Sequence, residues 1–286
     1  MSIKNKIRNL IPKNVWEFIS PIYYSAIRPL YDKILGPLYY KIEITICNFR
    51  FQKNIILNPY DVPIIINNFN RLTFLELLIK SLEERGYYNI YIIDNKSTYP
   101  KLIDYYDRHC KYPIFRLNEN LGFKAIWKSG IYNKFKHSYY VYTDSDMQID
   151  EDCPKDFMEK FISILNKYSN CYKVGFGLRI DDIPNSYKFK TKVLEQEKRF
   201  WVNEISPGIY SAPIDTTFAL YKPYTKGPAN ELKFNIRTGF PYIVKHLPWY
   251  SNSEHPSEEE LYYINNTKTS TYWTKKIKDE EMSDNI

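Results

Sequence analysis

Three short apolar runs, each ending in polar residues, restrict this chain to a layered α/β architecture. Val62-Pro63-Ile64-Ile65-Ile66 runs into Asn67-Asn68, Ile90–Ile93 into Asp94-Asn95, and Tyr139–Thr143 into Asp144-Ser145-Asp146. Runs of this length, rich in isoleucine and tyrosine and bounded by turn formers, predict buried strands. Between the first two, Leu72, Leu75, Leu78, Ile79 and Leu82 recur at helical spacing and Gly86 provides a stop. Strand, helix and strand within ~35 residues form a βαβ unit, whose two strands must be parallel. Further along, helices are expected over Lys101–His109, through Ala125–Trp127 and after Pro154, and strands over Ile114–Leu117 and Tyr172–Phe176. Beyond residue 180 the alternation fades. Thr216–Tyr221 and Tyr242–Val244 read as strands, residues 256–275 as one helix, and the end as a charged tail.

The net charge of +7 is concentrated at one end. Residues 1–60 hold nine Lys and Arg against three Asp and Glu, while the remainder holds 31 against 30. A nucleic-acid binder places its cations on the folded body, so this distribution argues against one. The N-terminal segment also carries Trp16, Phe18, Tyr23, Tyr24, Tyr31, Tyr39 and Tyr40. Rings beside cations suit an anionic membrane surface, and packing on the body accounts for them equally well. Pro12, Pro21, Pro29 and Pro37 are expected to cut the segment into short pieces, which excludes one long amphipathic helix. No stretch approaches the ~20 apolar residues of a spanning helix, and no signal-peptide pattern precedes residue 60. Cys47, Cys110, Cys153 and Cys171 are scattered without a C-x-x-C pair, which fits a reducing compartment. The expected layout is a basic aromatic segment (1–60), a catalytic domain (61–255) and a C-terminal helix with its tail (256–286). The expected location is cytoplasmic, with peripheral contact at the inner face of a membrane.

All three polar clusters fall at the C-terminal ends of parallel strands, the edge where ligands bind in open α/β sheets. Asp144 and Asp146, two residues apart after an apolar strand, suit a divalent cation whose shell substrate phosphates complete. Asp94 can accept hydrogen bonds from a base or ribose. Asn120-Leu121-Gly122 sets a turn at a helix start, with Lys124 in reach of a phosphate. Asp215 stands at the mouth of an apolar strand and can serve as a base or cap the strand. His246 is a possible further metal ligand, with Arg237 nine residues earlier, and Trp249 and Tyr250 can stack on a sugar or simply pack.

The ordered set Val-Pro-Ile-Ile-Ile-Asn-Asn-Phe-Asn-Arg, Ile-Ile-Asp-Asn-x-Ser, Asn-x-Asn-Leu-Gly and Tyr-Thr-Asp-Ser-Asp resembles nucleotide-sugar glycosyltransferases of the GT-A fold, nearest the family 2 type. The resemblance covers residues 61–180. It implies a mostly parallel central sheet between helices, with a Rossmann-like nucleotide-binding half and an acceptor half. It places Asn67 and Arg71 beside the nucleotide, Asp94 at the base, and Asp144 near the ribose or sugar. Asp146 and His246 would ligate Mn2+ or Mg2+, and Asn120, Lys124 and Arg237 would line the donor site. Trp249 and Tyr250 would face a glycan or lipid-linked acceptor. The family's Glu-Asp pair is absent in that form, and Asp215 stands in for the base by position. An inverting transfer to a hydroxyl is expected. A nucleotidyltransferase would carry a glycine-rich phosphate loop after the first strand, and Asn67-Asn68-Phe69-Asn70 has no glycine. A haloacid-dehalogenase-type phosphatase does not fit Asp146-Met147-Gln148. A non-enzymatic membrane or carbohydrate-binding module leaves the three strand ends unexplained.

Overall fold

The computed structural model describes residues 15, 17, 20, 22–51, 58–228 and 232–267. After a helical N-terminal segment ending in α1 (Gly36–Phe51), the chain alternates β1 (Ile64–Asn68), α2 (Thr73–Glu83), β2 (Ile90–Asp94), α3 (Pro100–Arg108) and β3 (Ile114–Arg116). Two short helices, α4 (Ala125–Lys128) and α5 (Tyr132–Phe135), lead to β4 (Tyr140–Asp144) and β5 (Met147–Ile149). Then come α6 (Phe157–Lys167), β6 (Lys173–Leu178) and α7 (Lys190–Lys198). The last elements are β7 (Glu204–Ser206), β8 (Ile209–Ser211), β9 (Ala219–Tyr221), β10 (Ile236–His246) and α8 (Glu258–Asn266).

One sheet holds the strands in the order β3-β2-β1-β4-β9-β6-β10-β8-β7, with β5 paired to β10. The first four are parallel, as the βαβ reading requires. Strand β9 is antiparallel to both β4 and β6, and so restores β6 to the direction of β4. Side chains alternate across the sheet. Ile64 and Ile66 meet Leu75, Leu78 and Leu82 of α2 and Phe157 and Phe161 of α6 on one face, while Ile65 meets Ile126, Tyr140 and Tyr142 on the other. Each fully buried leucine or isoleucine contributes about 1.5–3 kcal/mol of transfer free energy.

Several boundaries differ from the sequence reading. Strand β9 starts three residues later than expected, because Thr216 is engaged with Asp144. Strand β10 is far longer than Tyr242–Val244 and shifts register between Thr238 and Ile243. The helix expected over 256–275 is seen as Glu258–Asn266, capped by Ser257, whose side chain accepts from Glu260 N–H at 3.2 Å; residues from 268 onward lie outside the described set. The largest correction concerns the prolines. From Tyr23 to Phe51 the helical turns are unbroken through Pro29 and Pro37. Two π-turns, Tyr23–Ile27 and Tyr31–Leu35, make this possible. Arg28 N–H reaches Tyr23 O and Gly36 N–H reaches Tyr31 O. Each wide turn therefore closes on the residue before a proline, and the proline opens the next turn where no N–H is required. Pro12 and Pro21 lie outside the described residues.

Candidate functional site

Parallel pairing lines up the polar strand ends. Asn67 is in register with Asp144, and Asn68 with Asp94. Asn67 Nδ2 donates to Asp144 Oδ1 at 3.2 Å, and Thr216 Oγ1 donates to Asp144 Oδ2. Behind them Asn68 is wholly structural: its Nδ2 donates to Arg71 O at 2.9 Å and Tyr106 Oη at 2.8 Å, and its Oδ1 accepts from Ser145 Oγ at 2.6 Å. Asn70, at φ +52°, accepts from Thr98 N–H and Tyr99 N–H and joins the turns after β1 and β2. Asparagine is among the few residues that adopt this left-handed conformation readily.

Strand β5 turns straight out of the Asp144-Ser145-Asp146 loop and pairs antiparallel with the end of β10, so His246 faces Met147. Asp146 O accepts from Leu247 N–H at 2.8 Å. This brings His246 Nε2 to 3.5 Å from Asp146 Oδ2 across a hundred residues of sequence. Trp249 packs its ring at 4.7 Å, edge-on, against the imidazole. The remaining atoms of this pair, Asp146 Oδ1 and His246 Nδ1, are buried with no hydrogen-bond partner among the described residues, as is Asn67 Oδ1. Unpartnered polar atoms of this kind are costly unless a ligand meets them. Burial, with Asp146 nearby, pushes the Asp144 carboxyl well up. Burial alone would raise Asp146 too, but His246 and Arg71 outweigh it and hold the carboxyl below its usual range. A carboxylate pair in which one member resists ionisation suits a cation between strand end and ligand. One aspartate oxygen and one imidazole nitrogen are fitting donors for Mn2+ or Mg2+, with phosphate oxygens to complete the shell. Among the described residues, no group of three or more His, Cys, Asp and Glu is placed to hold a metal by itself.

Asp94 is buried at the end of β2 and accepts from Ser97 N–H at 3.2 and 3.3 Å through its two oxygens. Burial raises its carboxyl, partly offset by Ser97 and Arg116. Asn120 Oδ1 accepts from Gly122 N–H at 2.8 Å, so it shapes the turn, and Lys124 lies half-buried just after it. Asp215 is exposed, one residue before the Thr216 that holds Asp144.

Four further residues are engaged in ways the sequence did not disclose. Arg71 is buried, forks onto Glu260 of α8 and lies 3.7 Å from the Tyr263 ring centre; only its Nε is without a partner among the described residues. Arg237 is buried in a pair with Glu197 at 2.8 Å and donates to Pro213 O at 2.8 Å, so it braces the segment that carries Asp215 rather than opening onto the strand ends. Trp249 is buried behind His246, and Tyr250 donates to Asp182, so neither is an open platform.

Residues 64–204 match the family described as glycosyl transferase family 2. The chain is a family 2-like glycosyltransferase. Its sheet leads from four parallel strands into a mixed half. Among solved structures it is similar to S. aureus TarS 1-349, at 12% identity and TM-score 0.38, over 74% of this chain and 68% of that one. It is also similar to S. aureus TarS 1-349 in complex with UDP, at 13% identity and TM-score 0.36, over 57% of this chain and 46% of that one. A third, GalNAc-T7 with UDP, GalNAc and Mn2+, matches at 13% identity and TM-score 0.42 over 65% of this chain and 43% of that one. The glycosyltransferase thus spans less than half of two of these chains. No curated protein matches it in sequence.

The glycosyltransferase also uses residues with no local motif. Thr216 holds Asp144, and Glu259 accepts from Thr73 N–H and Oγ1 at the start of α2. Lys173, buried on β6, donates to Asp215 O at 3.1 Å and Tyr221 Oη at 2.9 Å. The adjacency of Thr216 to Asp215 was the one available clue; the others depend on pairings remote in sequence.

Proposed function

We propose that this glycosyltransferase moves a sugar from a nucleoside-diphosphate donor to an acceptor hydroxyl, with Mn2+ or Mg2+ held by Asp146 and His246. The observation that supports it most is the unpartnered Asp146 Oδ1 and His246 Nδ1 beside Asp144 at the sheet's ligand-binding edge. A divalent cation bound there supplies positive charge against a departing diphosphate. Asn67 and Thr216 fix the Asp144 carboxyl, so it can accept a ribose or sugar hydroxyl without reorganising. Asp94 offers acceptor capacity beyond Ser97 N–H to a nucleobase. Asn120 shapes a turn beside the donor, and Lys124 reaches its phosphates. Arg71 acts in this reading by seating α8 through Glu260, which encloses the donor edge.

Asp215 serves as general base: exposed and next to Thr216, it removes the acceptor proton as the hydroxyl attacks the anomeric carbon. Arg237 and Lys173 hold the backbone on which it is mounted. Attack from the face opposite the departing diphosphate inverts the anomeric centre, through an oxocarbenium-like transition state. Trp249 supports His246, and Tyr250 closes the acceptor side with Asp182. Calorimetry with a panel of nucleotide sugars, with and without Mn2+, tests the reading. Donor binding that requires the ion and vanishes in Asp146→Ala is expected; ion-independent binding in both proteins would remove the metal role.

A further inference from the structure

The N-terminal helix carries a second surface that sugar transfer does not use. One face of α1 is fastened to the body: Ile44 and Cys47 are buried with Tyr172, Glu43 pairs with Lys233 at 3.1 Å, and Asn48 Nδ2 donates to Ser169 O at 2.8 Å. On the opposite face Leu35, Leu38, Ile42, Ile46 and Phe49 follow one another at steps of three and four residues, which stacks them in a single ridge. All five are exposed, from 47% at Ile46 to 79% at Phe49. A helix anchored on one side ordinarily faces water with polar residues on the other. Here the outward side is aliphatic and aromatic over four turns, an unusual surface for a chain in water.

The charges around the ridge decide what covers it. The acids of this helix are already matched: Asp32 faces Arg28 at 3.4 Å, and Glu43 faces Lys233. Lys33 and Lys41 are exposed and have no acidic partner among the described residues. The whole segment 1–60 holds nine cationic side chains against three anionic ones, whereas the rest of the chain is balanced. Two copies meeting ridge to ridge would bring like charges together. An anionic lipid surface instead offers an apolar boundary for the ridge and headgroup charge for the lysines. No described helix is long and apolar enough to cross a membrane, so contact would be parallel to the surface.

We propose that the helix from Tyr23 to Phe51 lies on an anionic bilayer, with the ridge from Leu35 to Phe49 in the headgroup boundary and the body held above it through the opposite face of α1. This goes beyond the transfer reaction and stands independently of the donor chemistry. Prolines and π-turns fit the role: they keep the rod helical while its axis adjusts to a surface.

The test is co-sedimentation of the full chain with vesicles of phosphatidylcholine alone or mixed with phosphatidylserine. Wild type is expected to bind the anionic vesicles at low salt, to release them at high salt and to ignore the neutral ones. Ile42→Ser with Ile46→Ser is expected to lower anionic-vesicle binding about tenfold or more, as is Lys33→Glu with Lys41→Glu. All four positions are exposed, and matching circular-dichroism melts establish that the variants fold. Failure of wild type to bind anionic vesicles at low salt overturns the proposal, as does undiminished binding by the folded ridge variant. A wild-type dimer that the ridge variant converts to monomer, with no vesicle binding, assigns the surface to a second copy and equally overturns it. Nucleotide-sugar calorimetry on the same proteins separates the two readings. A chain that binds anionic vesicles but no nucleotide sugar upholds this surface and removes the donor assignment.

Discussion

The two halves of the sheet treat buried charge in opposite ways. In the parallel half, from β1 to β4 and the loop after it, carboxylate and amide oxygens stand at strand ends with atoms to spare: Asp146 Oδ1 and Asn67 Oδ1 meet no described partner. In the mixed half, buried cations are consumed internally. Arg237 is spent on Glu197 and Pro213, and Lys173 on Asp215 O and Tyr221. On the proposed reading the first half presents groups to a ligand; the second uses its groups to hold one loop in place. Two residues cross the division to the strand-end aspartates: Thr216, which holds Asp144, and His246, carried by β10 to the pair with Asp146.

The sharpest way to break this comparison is Asp146→Ala. If the parallel half provides the ligand for a metal-bound diphosphate, transfer should fall by about 10³-fold, a loss of about 4 kcal/mol in the transition state. Initial-rate measurements over a Mn2+ titration decide it. A folded variant with near-normal turnover would remove Asp146 from the reaction. Asp215→Asn probes the mixed half. It keeps the shape of the side chain but cannot take a proton, so kcat should fall by about 10²-fold or more while donor affinity persists. An Asn variant with wild-type rates would turn attention to Glu204.

Lys173 tests whether the mixed half really binds its cations at a cost. Burial lowers this lysine from 10.5 to about 7. Between those two values the unfolded chain therefore carries a proton that the folded chain has released. Stability should rise with pH across that window, by up to about 1.4 kcal/mol per pH unit from this one group. Urea unfolding of wild type and Lys173→Met at neutral and alkaline pH isolates it. The difference between the two proteins should shift in favour of wild type as pH rises; a pH-independent difference would show that Lys173 titrates normally.

The same division explains what was legible in the sequence. The parallel half is built from neighbours in sequence, so periodicity and strand-end clusters gave its strands to within a residue or two: Ile90–Asp94 and Tyr140–Asp144 are where their apolar runs place them. The mixed half is assembled by long returns. Strands β5, β7 and β8 have three residues each, too few to show a period, and their existence depends on what lies beside them. The embrace of Arg71 by Glu260 spans 189 positions and has no local signature. The N-terminal segment differs for another reason. Proline in a sequence signals a helix break, whereas two π-turns here set Pro29 and Pro37 where no N–H is needed.

The smallest effect is expected at Asp94, and it sharpens the comparison within the parallel half itself. Asp146 is assigned to charge that develops during reaction, Asp94 to a base that does not change. Asp94→Asn keeps one oxygen to accept Ser97 N–H, so the turn after β2 should hold. It replaces the other acceptor with a donor, which mismatches a base or ribose group that donates. A contact equal in ground and transition states affects binding alone, so KM for the donor should rise about tenfold while kcat changes less than about twofold. Steady-state kinetics with donor varied at saturating acceptor reads both numbers. If kcat collapses and KM stays put, Asp94 belongs with Asp146 in the chemistry, and the division of labour along this sheet edge fails at its second strand.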